Sequence, residues 1–177
     1  MQATSGNVER LAKAKEDENW EFRAFLKQVD MESEELDELV FQTTRRVWER
    51  IDCATCRNCC KHYQAGFTNE EAARAAERMG ASVEEFRSRY LERAEGGHDE
   101  PAWRIREQPC PFLKDNECAL GDDRPAECRD FPYLYKPEFV HRLIGMVERT
   151  FACPVVYEVM EELKGELGWH RKRSRRR

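Results

Sequence analysis

Apolar residues recur at helical spacing through the first part of the chain. Val8, Leu11, Phe22, Phe25, Leu26 and Val29 make one stripe with a weak middle. Leu36, Leu39, Val40, Thr43, Val47 and Ile51 make a second, close to the ideal repeat for one buried helix face. Ser33 stands where a cap for that second helix belongs, and Asp30-Met31 reads as a turn between the two. The pattern predicts an antiparallel helical hairpin over residues 8–52, after a disordered start at 1–7. The hairpin's second arm runs directly into Cys53.

Beyond that point the pattern shortens. Lys61 to Phe67 reads as a loop or a short extended piece. Thr68 with Glu71, and Ser82 with Glu85, are capping boxes, each opening a short helix. Gly80 suits the end of the first, and the second fades at Gly96-Gly97. Trp103 to Arg106 alternates as a strand does. Asp115-Asn116 looks like a turn, with Glu117 to Leu120 returning as a hairpin partner, and Gly121-Asp122-Asp123 is a further turn. Pro125 suits the start of a single helical turn ending near Cys128. The apolar run Phe139 to Met146 reads as a strand, although Leu143-Ile144 would also suit a helix, and Pro154 opens a last amphipathic helix through Val156, Val159, Met160, Leu163 and Leu167. The expected fold is mainly α with a few short strands, in a small single domain wrapped around a cysteine-rich metal centre. Its main body spans 53–168, and residues 169–177 are a basic disordered tail.

Composition makes a staple desirable. Of 177 residues, 40% are hydrophobic and 37% charged, so the core is thin. The net charge of −5 hides an acidic body, because Arg171 to Arg177 alone carries six positive charges. An acidic body argues against nucleic acid as the partner of the folded part. No window approaches a membrane span, and Met1 to Asn19 lacks the apolar stretch of a secretory signal. The expected compartment is the cytoplasm, where clustered cysteines bind metal more often than they form disulfides.

The chemistry lies in eight cysteines. Four fall in the octapeptide Cys53-Ala-Thr-Cys56-Arg-Asn-Cys59-Cys60, and four follow at Cys110, Cys118, Cys128 and Cys153. All eight are candidate metal ligands. Thiolates suit zinc, copper(I) and iron–sulfur clusters. Three ligands at C-x2-C-x2-C with a distant fourth is the ligand pattern of bacterial [4Fe–4S] sites. Structural zinc more often uses two separated C-x2-C knuckles, so the spacing favours an iron–sulfur cluster, with zinc as the alternative. Adjacent side chains diverge, so Cys60 is expected either to serve a second centre or to be a buried or redox-active thiol. Eight thiols complete two four-thiolate sites, but the spacing leaves the pairing open. One cluster beside a structural zinc, or beside spare thiols, also satisfies it. Arg124 and Arg129 flank Cys128 and are candidates to bind cofactor sulfurs or a substrate anion. His62 is a further candidate ligand, while His98 and His141 have no supporting pattern.

These pieces resemble the YkgJ-type CxxCxxCC cysteine-cluster family of zinc- or iron-chelating domains. The resemblance rests on the octapeptide, Phe67-Thr68-x-Glu70-Glu71-Ala72, Glu85-Phe86 with Tyr90-Leu91, and Cys110-Pro111-Phe112-Leu113. It continues through Cys118, Arg124-Pro125-x2-Cys128-Arg129-x-Phe131-Pro132 and Cys153-Pro154. It covers roughly residues 50–160. It departs at Leu120-Gly121 and at Val155. The implied function is a metal-binding protein with a redox or metal-handling role and an unidentified protein partner. Flagellin lysine N-methylases are similar in the cluster, which implies as an alternative a cluster-dependent protein-modifying enzyme. A pocket lined by Arg124, Arg129 and Tyr133 would favour that alternative.

Overall fold

The computed structural model describes residues 2–94 and 102–171. Its elements run α1 (Val8–Ala14), α2 (Glu16–Leu26), α3 (Ser33–Trp48), α4 (Cys53–Cys56), α5 (Cys59–His62), β1 (Gly66–Phe67), α6 (Asn69–Arg78) and α7 (Val83–Tyr90). They continue through β2 (Leu91–Arg93), β3 (Trp103–Ile105), β4 (Leu113–Lys114), β5 (Glu117–Cys118), α8 (Ala126–Asp130), α9 (Leu143–Arg149) and α10 (Pro154–Glu166). The fold is mainly α with a few short strands, as the sequence pattern predicts. Gly96-Gly97, His98 and most of the basic tail lie outside the described residues.

The chain divides into two compact units, and the division cuts across the expected boundary at residue 53. One unit joins Met1–Cys56 to Pro132–Arg177, and the other is Arg57–Phe131.

In the first unit the stripes of the sequence are buried as read. Phe22, Leu26, Leu36, Val40, Val47 and Ile51 join Phe139, Leu143, Met146, Val156, Val159, Met160 and Leu163 in the interior. The expected hairpin gives way to packing on the C-terminal helices: α3 lies chiefly on α10, and α2 on α9. The weak middle of the first stripe is a break at Lys15 between α1 and α2. Residues 2–7, expected to be disordered, are held in place. Ala3 is buried and its N–H donates to the Glu158 carboxylate, while Thr4 N–H bonds the Asn7 side chain. Ser33 is the first residue of α3 and makes no cap bond; Glu32 takes the cap position.

The predicted strand at Phe139 to Met146 is a helical turn over Phe139–Arg142 followed by α9. The reason lies far away in sequence. Asp37 on α3 is nearly buried, and its carboxylate accepts the N–H groups of Glu138 at 2.6 Å and Phe139 at 2.8 Å. That caps the turn, with Glu138 in the left-handed region at φ 60°. Removing the two charge-assisted bonds leaves the buried Phe139 donor unpaired. Asp37→Ala should therefore cost about 2–3 kcal/mol in urea unfolding, and a loss below about 0.5 kcal/mol would show the cap to be idle.

The second unit is built on aromatic rings. Phe86 and Phe112 stack at 5.5 Å with 9° between planes, and Tyr90 and Phe67 tilt against Phe112 at 5.0 and 6.4 Å. Around them β1, β3 and β2 form an antiparallel sheet in that order. Both capping boxes are formed, and Gly80 takes φ 66° where α6 ends. β4 and β5 pair as a hairpin whose turn residues, Asp115 and Asn116, sit at φ 48° and 64°. Positive φ at both positions is the twist that two-residue hairpins require, and Asn and Asp tolerate it.

Candidate metal centre

The octapeptide folds as two helical turns separated by a kink. Asp52 opens the first: its side chain accepts the Ala54 N–H at 2.8 Å and its carbonyl accepts the Cys56 N–H at 3.0 Å. Trp48, one turn back on α3, donates its indole N–H to the Cys53 sulfur at 3.2 Å. Arg57 then enters the left-handed region at φ 47°, and this separates α4 from α5. In α5 the side chains of Cys59 and Cys60 do not diverge as expected, because their thiols hydrogen-bond to each other. That bond, with the positive charges of Arg57 and Arg124, outweighs burial and brings the Cys60 thiol down to about 6.

Within the second unit, three distant cysteines are gathered to Cys60. The Cys110 N–H donates to the Cys60 carbonyl at 2.7 Å. Cys118 sits opposite Leu113 in the β4–β5 hairpin, whose closing bond runs from Ala119 N–H to the Phe112 carbonyl at 2.8 Å. Cys128 rides on α8, which two carboxylates fix in place. Glu71 is nearly buried; it closes its capping box with one oxygen and accepts the Ala126 N–H at 2.8 Å with the other. Glu127 accepts the Tyr63 hydroxyl at 2.9 Å and the Gly66 N–H at 2.8 Å. Cys110, Cys118 and Cys128 all pack on the edge of the aromatic core.

Burial pushes the Cys128 thiol up to about 12, and negative charge at Cys110, Cys60 and Cys118 pushes in the same direction. Burial likewise raises Cys110 to about 11, with Cys60 and Cys118 adding to it, although the Phe112 and Leu113 N–H groups point at its sulfur. The four thiols thus lie within electrostatic reach of one another.

In the first unit Cys153 is the cap residue of α10 and is 6% exposed. Burial raises it to about 12, and charge at Cys53 and Cys56 adds to that. The Val155 and Val156 N–H groups, at the helix start, are directed at its sulfur. Cys153 therefore lies within electrostatic reach of the two thiols of α4.

The donor set fits a soft metal. All eight cysteines are thiols, and Cys53, Cys110 and Cys153 receive the N–H groups that stabilise bound sulfur. Among the described residues no three Cys, His, Asp or Glu side chains stand at ion-binding separation, so coordination at about 2.3 Å per sulfur requires further closure.

Residues 52–152 match the model of the CxxCxxCC family, described as a "putative zinc- or iron-chelating domain". The match spans more than half of the chain. The chain belongs to the CxxCxxCC family. No curated protein and no solved structure matches it. The family domain takes in seven of the eight cysteines, and Cys153 is the residue just past its end. Zinc or iron chelation is thus the chemistry of this chain at the family level. Among the described residues no helix is long and apolar enough to cross a membrane.

In this CxxCxxCC chain the two candidate arginines part company. Arg124 acts on Cys60, and its buried Nε has no hydrogen-bond partner among the described residues. Arg129 turns away, donating to the Arg124 carbonyl and lying 3.9 Å from Glu71. His62 ends α5 and is exposed, and His141 is exposed in the turn before α9. Tyr133 in the first unit carries Arg149 over its ring at 4.7 Å and accepts from Arg142 through its carbonyl. An open groove of about 290 Å³ in the second unit is lined by Tyr63, Gln64, Gly66, Arg104 and Glu127, and so is not the arginine-lined pocket that would favour the enzyme alternative. Sequence reasoning missed Trp48, Arg57, Glu71 and Glu127 as supports of the thiols. Trp48 lies one helical turn before Cys53 and Arg57 lies inside the run, so both were within reach of local inspection. Glu71 was legible only as the capping-box partner of Thr68, and nothing local marks its bond to Ala126 or the role of Glu127.

Proposed function

We propose that the chelated metal is iron, held as a [4Fe–4S] cluster in the cytoplasm, with a redox or metal-handling role; zinc is the alternative. The observation that carries this is Cys153. Its thiol lies within electrostatic reach of Cys53 and Cys56, which supports it as the distant ligand that the C-x2-C-x2-C run calls for. The spacing of the run adds Cys59. When bound, such a cluster supplies one-electron chemistry. The residues around it hold and tune the sulfurs. Trp48 donates to Cys53, the start of α10 donates to Cys153, and such bonds favour the thiolate over the thiol.

Anaerobic purification followed by iron, acid-labile sulfide and zinc determination tests the reading. Iron and sulfide in equal amounts, with a brown protein, are expected. A colourless protein with stoichiometric zinc would replace iron by the alternative, and a protein without metal would overturn both.

A further inference from the structure

We infer that Cys60, Cys110, Cys118 and Cys128 form a metal site of their own, a four-thiolate site for one zinc or ferrous ion. It is separate from the centre assigned above to the Cys53-x2-Cys56-x2-Cys59 run and Cys153. The inference rests on the chelation reading and deepens it, because it sorts the thiols.

The argument is one of placement. The four cysteines come from four separate stretches: α5, the turn before β4, strand β5 and helix α8. Each stretch is tied to another by a bond that does not involve sulfur. Cys110 N–H meets the Cys60 carbonyl, Ala119 N–H meets the Phe112 carbonyl, and Glu127 and Glu71 pin α8 to the segment after Cys60 and to α6. The result is four thiols on one edge of a single compact unit, three of them packed on its aromatic core. Four thiolates closed around one ion, with no open position, are the arrangement of structural zinc, and these four reach it only with the further closure noted above. Each thiol gives its proton to solvent as its metal–sulfur bond forms. Arg57 and Arg124, which face Cys60, offset the negative charge left on the site. Removing these four leaves Cys53, Cys56 and Cys153 in the first unit, and Cys59, whose thiol meets that of Cys60.

The test uses the full chain, purified anaerobically with zinc and iron counted. A chelator then withdraws metal stepwise while alkylation, read by peptide mass spectrometry, reports which thiols become exposed. Cys60, Cys110, Cys118 and Cys128 should gain label together, in a phase distinct from that of Cys53, Cys56 and Cys153. Labelling of all eight in one phase, or of these four in different phases, overturns the inference and leaves the chelation reading standing. A chain that carries no metal overturns both. The variant Cys118→Ser/Cys128→Ser adds a second readout, with circular dichroism to establish that it folds. It should lose one metal centre and expose Cys60 and Cys110, while Cys53, Cys56 and Cys153 stay shielded. Loss of all metal from the folded variant contradicts the inference.

Discussion

Phe112→Ala should destabilise the second unit by about 3–5 kcal/mol, the usual cost of truncating a buried aromatic ring. Phe112 is 1% exposed and meets Phe86, Tyr90 and Phe67, so the truncation removes three ring contacts as well as buried area. Besides the rings, the unit's core holds Leu91, Ile105 and Leu120. Its remaining core on α6 is Ala72, Ala75 and Ala76, which cannot expand into the gap. The effect should reach the thiols. The Phe112 N–H points at the Cys110 sulfur and its carbonyl holds the hairpin that carries Cys118. Alkylation of Cys110 and Cys118 should therefore quicken in Phe112→Ala more than alkylation of Cys153. Phe112→Leu, which keeps part of the volume, should fall between wild type and alanine. Chemical denaturation measures the first effect, and a loss under about 1 kcal/mol would mean that the ring stack is not the support of this unit.

Lys164→Met should cost the first unit about 3 kcal/mol, the lower end of the range for a buried ion pair broken from one side. Lys164 is 6% exposed on α10. Its ammonium donates to Glu18 at 2.8 Å, to Asn19 at 2.7 Å and to Glu161, and Phe22 and Trp169 present their rings at 5.9 and 5.8 Å. Methionine keeps the stem and removes the charge. Glu18 and Glu161 then face each other with Lys15 alone between them. The two carboxylates keep 24% and 21% of their side-chain surface, so water screens part of the loss. The pH dependence has a definite sign. Burial pushes the Glu18 carboxyl up, but the hydrogen bond and charge of Lys164, with Lys15 helping, bring it below its ordinary 4.5. A depressed carboxyl contributes stability above 4.5 that is lost as pH falls through the lower folded value. The gap between wild type and Lys164→Met should thus narrow in acid below pH 4.5. A gap that stays constant from neutral pH into acid would show that the loss is one of packing, not charge.

What was legible in the sequence was local. The capping boxes at Thr68 and Ser82, the turn at Asp115-Asn116, and the proline start of α10 depend on residues three or four apart, and all formed. The buried stripe of α3 was equally plain, but its partner was not. A stripe says that a face is buried without saying against what, and α10 lies about a hundred residues further along. The misreading of Phe139 to Met146 has the same origin. A short apolar run suits strand and helix alike, and what decides is the carboxylate of Asp37. The candidate site followed the same rule. That eight cysteines matter could be read from their number and spacing. Which of them lie near one another could not, because long-range bonds decide it: Cys110 N–H meets the Cys60 carbonyl, and Glu71, read only as a capping-box residue, and Glu127 fix the helix of Cys128.

The central claim is that thiolates of this chain hold the metal. X-ray absorption at the metal edge of the anaerobically purified protein tests it most directly. The account predicts a first shell of sulfur alone, near the 2.3 Å typical of metal–thiolate bonds, with iron neighbours beyond it where a cluster is present. A first shell dominated by oxygen or nitrogen would contradict it, since the ligands would then be carboxylates or imidazoles and not the cysteines.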